Sequence, residues 1–356
     1  MELAGPPCIA HEAVDVLVVG IGGASPRAAS VLSQALELPI ETVVDALYRA
    51  PARLLAGLPG PDAARLAAII GTLGVEVEVI PAGAPIARSP TLDLAGELLD
   101  PARADEVGQV LGRFLGMSPQ EALDLLLTPP GVILGSVTEA TVRALDAALP
   151  AGSARLTASR PDEARFALFA SELSSLQIGV LRPHLPVDAV VTPGGSATIF
   201  DLGRAEADLL WRRLKAPERV QVVNQAFLRF SLDLTAAPAT GASAGALQAL
   251  AGVPLEDYPL ICNALPVTVE VGIAFDAVSA RMALYAAAGL TVRAEMETFS
   301  HVGLDILSAR PEALAEVGLP SPAPLSTAPM PRPRAKLLRH RLEAAGAEVL
   351  FAEPAQ

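Results

Sequence analysis

Residues 40–80 read IETVVDALYRAPARLLAGLPGPDAARLAAIIGTLGVEVEVI. Leu66, Ile69, Ile70 and Leu73 are spaced i, i+3, i+4 and i+7, which places them on one face of a helix. Ala64, Ala68, Gly71 and Thr72 take the opposite face, small enough to meet solvent or to lie close against another element. Pro61 opens this helix, where a missing N–H costs little, and Asp62 follows where the helix dipole favours a negative charge. Gly74 stands where a left-handed residue stops a helix. Val75, Val77 and Val79 then alternate with Glu76 and Glu78, a strand with one wet face. Upstream, Leu54 and Leu55 form a short strand between Pro51 and Gly57, and Val43, Val44 and Leu47 a helix introduced by Pro39. A strand at 14–19 and a helix at 26–36 complete a unit ordered β-α-α-β-α-β.

This unit resembles the C-terminal domain of the ribosomal stalk protein, a fold shared with the adaptor ClpS. The resemblance is carried by Val14-Asp15-Val16-Leu17-Val18-Val19, by Ala50-Pro51, and most closely by Leu73-Gly74-Val75-Glu76-Val77-Glu78-Val79. It covers residues 14–80 and implies a fold, not an activity. The stalk domain uses lysines on its first two helices to contact translational GTPases, whereas the matching second helix here reads Glu41-Thr42-Val43-Val44-Asp45. The ClpS pocket for N-terminal residues has no recognisable counterpart.

The unit recurs. Residues 91–159 repeat its landmarks about 80 positions later, a period that marks a duplicated module. There, Ser118 and Glu121 have the spacing of a capping box, and Thr128-Pro129-Pro130-Gly131 stands near the equivalent of Arg49–Pro51. Residues 163–235 read as a divergent third module, 236–299 as a fourth and 300–356 as a truncated fifth, after a loose lead-in at 1–13. The ending of helix, Gly and strand returns at 284–296 and 342–351. The expected fold is therefore α/β (α+β), a tandem array of small β-α-α-β-α-β modules. Each small sheet has edges that need covering, so strands are expected to pair across modules.

The 51% apolar content supports substantial cores. Only 18% of residues are charged, so some apolar surface is expected to be buried between modules or against a partner. A net charge of -13 argues against nucleic acid and against anionic membranes, both of which select cations. Cys8 and Cys262 form no spacing motif, which fits a reducing cytoplasm. The first residues lack the basic region of a signal peptide, and no apolar run approaches the length of a membrane span.

Several short motifs have a chemical and a plain reading. Gly20, Gly22 and Gly23 follow a strand and precede a helix, but Ser25 stands where a dinucleotide fingerprint wants its third glycine; a strand-to-helix turn is the plain alternative. Gly194 and Gly195 lie in Thr192–Thr198, either an anion cradle of backbone N–H groups or a hairpin turn. Gly241-Ala242-Ser243-Ala244-Gly245 has the letters of a nucleophile elbow without a strand leading into it, so a small-residue loop competes with a hydrolase. His11, His184, His301 and His340 show no ligand spacing, and His11 with Cys8 is too few for a metal site. Arg332, Arg334, Lys336, Arg339, His340 and Arg341 make a basic segment, read either as a grip on an acidic partner or as a solvated helix face.

These observations point to a non-catalytic cytoplasmic scaffold or adaptor with a protein partner, no catalytic residues, no cofactor and no metal. Two alternatives stay open: a small-molecule sensor or enzyme with a site between modules, and an oligomeric structural component.

Overall fold

The computed structural model of the chain describes residues 13–185, 191, 192, 194–320 and 322–352. The lead-in to residue 12, with Cys8 and His11, falls outside them. Tertiary contacts divide the chain into two compact units, Met1–Leu126 with Val132–Arg160, and Leu127–Gly131 with Pro161–Gln356.

The first module is β1 (Ala13–Gly20), α1 (Pro26–Leu36), α2 (Ile40–Tyr48), β2 (Ala52–Pro59), α3 (Gly60–Thr72) and β3 (Glu76–Pro81). Its first strand lies in the middle of an antiparallel sheet ordered β2-β1-β3. The plan repeats in β4 (Leu92–Leu98), α4 (Ala104–Leu115), α5 (Pro119–Leu127), β5 (Val132–Val137), α6 (Glu139–Ala148) and β6 (Ala154–Ser159), ordered β5-β4-β6. The third module is β7 (Phe166–Ala170), α7 (Ser175–Leu181), β8 (Ala197–Leu202), α8 (Arg204–Leu214) and β9 (Val220–Asn224), ordered β8-β7-β9. The fourth is β10 (Arg229–Ala236), α9 (Gly241–Ala251), α10 (Tyr258–Asn263), β11 (Val267–Ala274), α11 (Phe275–Ala287) and β12 (Thr291–Met296), ordered β11-β10-β12. The fifth is β13 (His301–Ser308), α12 (Pro311–Glu316), β14 (Leu325–Ser326), β15 (Met330–Pro331), α13 (Arg332–Ala344) and β16 (Glu348–Ala352). In it β14 and β15 pair with β13, and so does β16. The fold is thus a series of α/β modules with the first strand central in each. The X-Pro bond leading towards the second strand is cis in four of them, at Ala50-Pro51, Pro129-Pro130, Leu265-Pro266 and Ala323-Pro324.

Four expectations change. The run 227–234, assigned by sequence to the third module, contributes β10, the central strand of the fourth. Its alternating apolar residues suit either sheet, and only pairing decides between them. The fifth module is not truncated: its second strand is split into β14 and β15 within a stretch whose prolines lack the N–H a continuous ladder needs. In α3 the inward face is Ala63, Leu66, Ala67 and Ile70, while Ile69 is 57% exposed. The small Ala63 and Ala67 let the helix lie close to the sheet, and this turns Ile69 outward. Finally, among the described residues no strand pairs across modules; each sheet is confined to one module.

Modules within a unit meet through faces, caps and side chains. In the first unit Tyr48 OH donates to the Phe114 carbonyl at 2.8 Å, and the two rings meet edge to face at 6.1 Å. Thr141 Oγ1 donates to the Tyr48 carbonyl at 2.8 Å, and Thr138 Oγ1 to the Ala50 carbonyl. In the second unit strand alternation does the work. Leu168 and Ala170 of β7 face α7 and α8, with Ile199, Leu210 and Leu214. Ala167 and Phe169 face the other way and pack with Phe200, Phe230, Phe275 and Phe299. Phe169 lies 5.1 Å from Phe299 edge to face, and Phe200 stacks on Phe275 at 5.3 Å. The free face of one three-stranded sheet is thereby covered by the next module. Each buried side chain of this size contributes roughly 1.5–3 kcal/mol relative to exposure.

Candidate functional site

Gly20 ends β1, and Gly22 and Gly23 lie in the turn to α1; the space beside Gly20 and Gly22 is already taken, while that beside Gly23 is open. A Cβ on Gly22, whose φ is +55°, would lie 2.4 Å from the Gly74 carbonyl oxygen. A Cβ on Gly20 would lie 2.6 Å from the Glu76 carboxylate. Gly23 N–H donates to the Gly74 carbonyl at 3.0 Å, and Ala24 N–H to that of Ile21 at 3.1 Å. These glycines let the turn lie against the end of α3, beside a carboxylate that would repel a phosphate. The plain turn is what the geometry supports.

The Gly194–Gly195 turn is closed in the same sense. Gly195 N–H donates to the Thr192 carbonyl at 2.9 Å, and Ser196 N–H to Thr192 Oγ1 at 3.1 Å. At Gly195, φ is +76° and a Cβ would meet the Leu173 carbonyl at 2.5 Å. The N–H groups of Gly195 and Ser196 are thus engaged within the turn. Sequence reading also expects a strand at 189–191 beside this turn; Pro193 and the part of that strand before residue 191 lie outside the described residues.

Gly241–Gly245 is the first turn of α9 and not a loop. Thr240 caps the helix, its Oγ1 accepting from Ser243 N–H at 3.2 Å and lying 2.9 Å from Ser243 Oγ. Ser243 is buried on a helix, whereas a nucleophile elbow presents its serine on a strand-to-helix turn. Sequence reading places a helix at 246–251 and misses this first turn, because its residues are small, with little contrast between faces. Tyr258 OH nearby donates to the Pro238 carbonyl at 2.6 Å.

His184 Nδ1 lies 3.2 Å from Glu206, and His301 Nδ1 lies 3.1 Å from the Phe299 carbonyl. No cluster of three or more metal-ligating side chains occurs among the described residues.

A recurrent polar device was not foreseen. In four modules the residue three positions before the last helix has a left-handed backbone: Gly57 (φ 69°), Ser136 (55°), Asp201 (60°) and Gly272 (69°). The strand bulges there, and a side chain accepts the N–H that the ladder leaves over. Asp15 Oδ1 takes that of Gly57 at 2.9 Å and Asp93 Oδ1 that of Ser136 at 3.1 Å. Glu297 Oε2 takes that of Gly272 at 2.9 Å. Gln225, with its amide turned to satisfy both groups, accepts from Asp201 N–H at 2.7 Å. The carboxyl of Asp15 is held below the usual range by the N–H groups of Gly83 and Gly57, which outweigh burial, with Arg53 adding to them.

Glu297 carries more than its bulge. Its Oε1 lies 2.9 Å from Lys336 Nζ and 3.3 Å from Arg332 Nε, both on α13 of the fifth module. Burial pushes its pKa up, but Lys336, the Gly272 N–H and Arg332 together bring it below the ordinary value. The basic segment is therefore divided. Arg332 and Lys336 tie module to module, Arg339 pairs with Glu343 at 2.7 Å and lies 5.0 Å from the Phe351 ring centre, and Arg334 and Arg341 are engaged as well.

Within the first unit a cleft of about 590 Å³ lies beside the start of α1, lined by Ser25, Arg27, Ser30, Gln109, Arg113 and Met117 among others. Neither Arg27 nor Arg113 has an ion pair among the described residues. The expected Gly-rich turn borders this cleft through Ser25 without lining it by its glycines.

No family model matches the chain, and no curated protein or solved structure matches it. Among the described residues no helix is long and apolar enough to cross a membrane.

Proposed function

We propose that the chain is a non-catalytic, cytoplasmic interaction scaffold that presents the surfaces of repeated modules to a protein partner. The observation that carries this reading is the repetition of one strand order with different exposed apolar side chains on each copy. Val44 stands on α2, Val132 on β5, Leu176 on α7, Leu260 on α10 and Leu350 on β16, with Leu176 82% and Leu260 68% exposed. One architecture repeated with a varied surface gives a single chain several distinct contact faces. The fold-level likeness to the stalk C-terminal domain belongs to the same proposal, supported by the β-α-α-β-α-β order of the first module.

The test is a tagged pull-down from the native host with cross-linking and mass spectrometry, repeated with Val44→Asp, Leu176→Asp, Leu260→Asp and Leu350→Asp. A stoichiometric partner lost with one variant and kept with the others is expected. A partner held equally by all four, or none at all, counts against module-based recognition. Mass that rises with concentration for the purified chain favours an oligomeric component instead.

The cleft beside α1 favours a second reading, a small anionic metabolite held by Arg27 and Arg113. Thermal-shift titrations with inorganic phosphate and with citrate test it. Stabilisation that Arg27→Ala with Arg113→Ala removes would support it, and no shift would sink it.

A further inference from the structure

Helix α8 carries an outward face that the module's own packing does not use. Ala207, Leu210 and Leu214 are its buried side, turned to the third-module core. Arg204, Asp208, Trp211 and Arg212, spaced i, i+4, i+7 and i+8, form an exposed stripe that flanks the buried side, and Lys215 follows as the left-handed C-cap. All of them are exposed, Trp211 to 44%. Trp211 is the only tryptophan of the chain. Among the described residues none of Arg204, Arg212 and Lys215 has an ion pair, and no cation lies over the Trp211 ring. Arg212 and Lys215 suit the negative end of the helix dipole, but Arg204 stands in the first turn, where the dipole disfavours a cation. Helix stability therefore does not account for the whole face. Three cations and one carboxylate around an exposed indole, in a protein of net charge -13, is a local reversal of the molecule's sign. Tryptophan and arginine are also the residues that dominate binding hot spots.

We propose that this face docks an acidic protein segment, one that supplies glutamates or aspartates to Arg204, Arg212 and Lys215 and an apolar side chain to Trp211. The inference rests on the scaffold reading and narrows it to one helix and one partner chemistry. Charge complementarity selects the occupant, because among the described residues the cations have no ion pair while the indole offers a flat apolar contact beside them.

The lone tryptophan makes the test direct. The full chain is titrated with a glutamate-rich peptide containing interspersed leucines, with its lysine-rich counterpart, and with a duplex DNA oligonucleotide, and Trp211 emission is followed. The acidic peptide is expected to shift the emission in low salt, with an affinity that falls as salt is added. Arg204→Glu with Arg212→Glu and Lys215→Glu should weaken it roughly tenfold or more, with an unchanged circular dichroism spectrum since all three side chains lie at the surface. No response to the acidic peptide, or an equal response in the charge-reversed variant, overturns the proposal. Tighter binding of DNA overturns the acidic-protein assignment in favour of a nucleic acid. Self-association abolished by the same variant replaces the partner with a second copy, whose first two modules carry 16 acidic against nine basic residues between 13 and 159. A native partner still captured by the charge-reversed variant sinks this face and leaves the scaffold reading standing.

Discussion

Asp15 and Glu297 solve one problem in two ways. Each accepts the N–H of a left-handed residue in the second strand of its module. Asp15 does it from the central strand and spends its other oxygen inside the same module, on Gly83 N–H at 3.0 Å and Arg53 Nε at 2.8 Å. Glu297 does it from just beyond the last strand and gives its other oxygen to the next module. A backbone requirement set by the fold thus becomes a local lock in one place and a junction in another. What decides is whether the carboxylate sits mid-sheet, surrounded by its own strands, or at the exit, where a neighbour follows.

The largest expected effect is that of Asp15→Asn. The side chain is 1% exposed and faces donors at both oxygens, so an amide NH₂ must meet an N–H whichever way it is turned. Hydrogen exchange at residues 14–19 should rise, and the urea midpoint of the first unit should fall further than the Glu297→Gln variant lowers that of the second. The reverse ranking would break the comparison.

Glu297→Gln should cost about 2 kcal/mol, because Lys336 and Arg332 can turn to solvent while the oxygen stays on Gly272. Urea titration followed by Trp211 emission, which reports the second unit, would measure it.

Both carboxylates have folded pKa values below their unfolded ones, so each contributes stability that is present above the unfolded pKa and lost as pH falls through the folded one. Glu297 should begin to weaken as pH drops below 4.5, and Asp15 only as it drops below 3.8. Acid titrations at low and high salt sharpen the contrast: salt should weaken the Glu297 junction, which rests on two cations, more than the Asp15 lock, which rests chiefly on two backbone N–H groups.

Gly57→Ser should cost only about 1 kcal/mol, since a Cβ there meets nothing within 4 Å and Ser136 occupies the equivalent left-handed position. A loss several times larger in thermal unfolding would mean that the two bulges are not equivalent. Lys336→Met should be smallest, about 0.5 kcal/mol, because its side chain is 41% exposed and Arg332 remains on Glu297. A loss as large as that of Glu297→Gln would show that one cation carries the junction alone.

Much of the fold was legible because it rests on local signals. The ending of helix, glycine and strand was read from Gly74, Gly289 and Gly346, and all three have the left-handed backbone that stops a helix, at φ 87°, 73° and 83°. The Ser118–Glu121 capping box forms as its spacing implies. The candidate sites were less legible. The basic segment 332–341 was seen, but its partner Glu297 lies 39 residues before Lys336, and no local pattern links them. The exposed face of α8 was not legible either, because an indole suits a core as well as a surface and only packing turns Trp211 outward.

The sequence by itself determined the local plan of helix, glycine and strand, since helix periodicity, strand alternation and glycine stops act within a few residues of one another. Tertiary structure alone decided which sheet β10 joined, which face of β7 met the phenylalanines, and which carboxylate reached into the next module. Those choices depend on contacts between residues far apart in the chain, and an apolar strand or a buried acid satisfies either of two neighbours until both are in place.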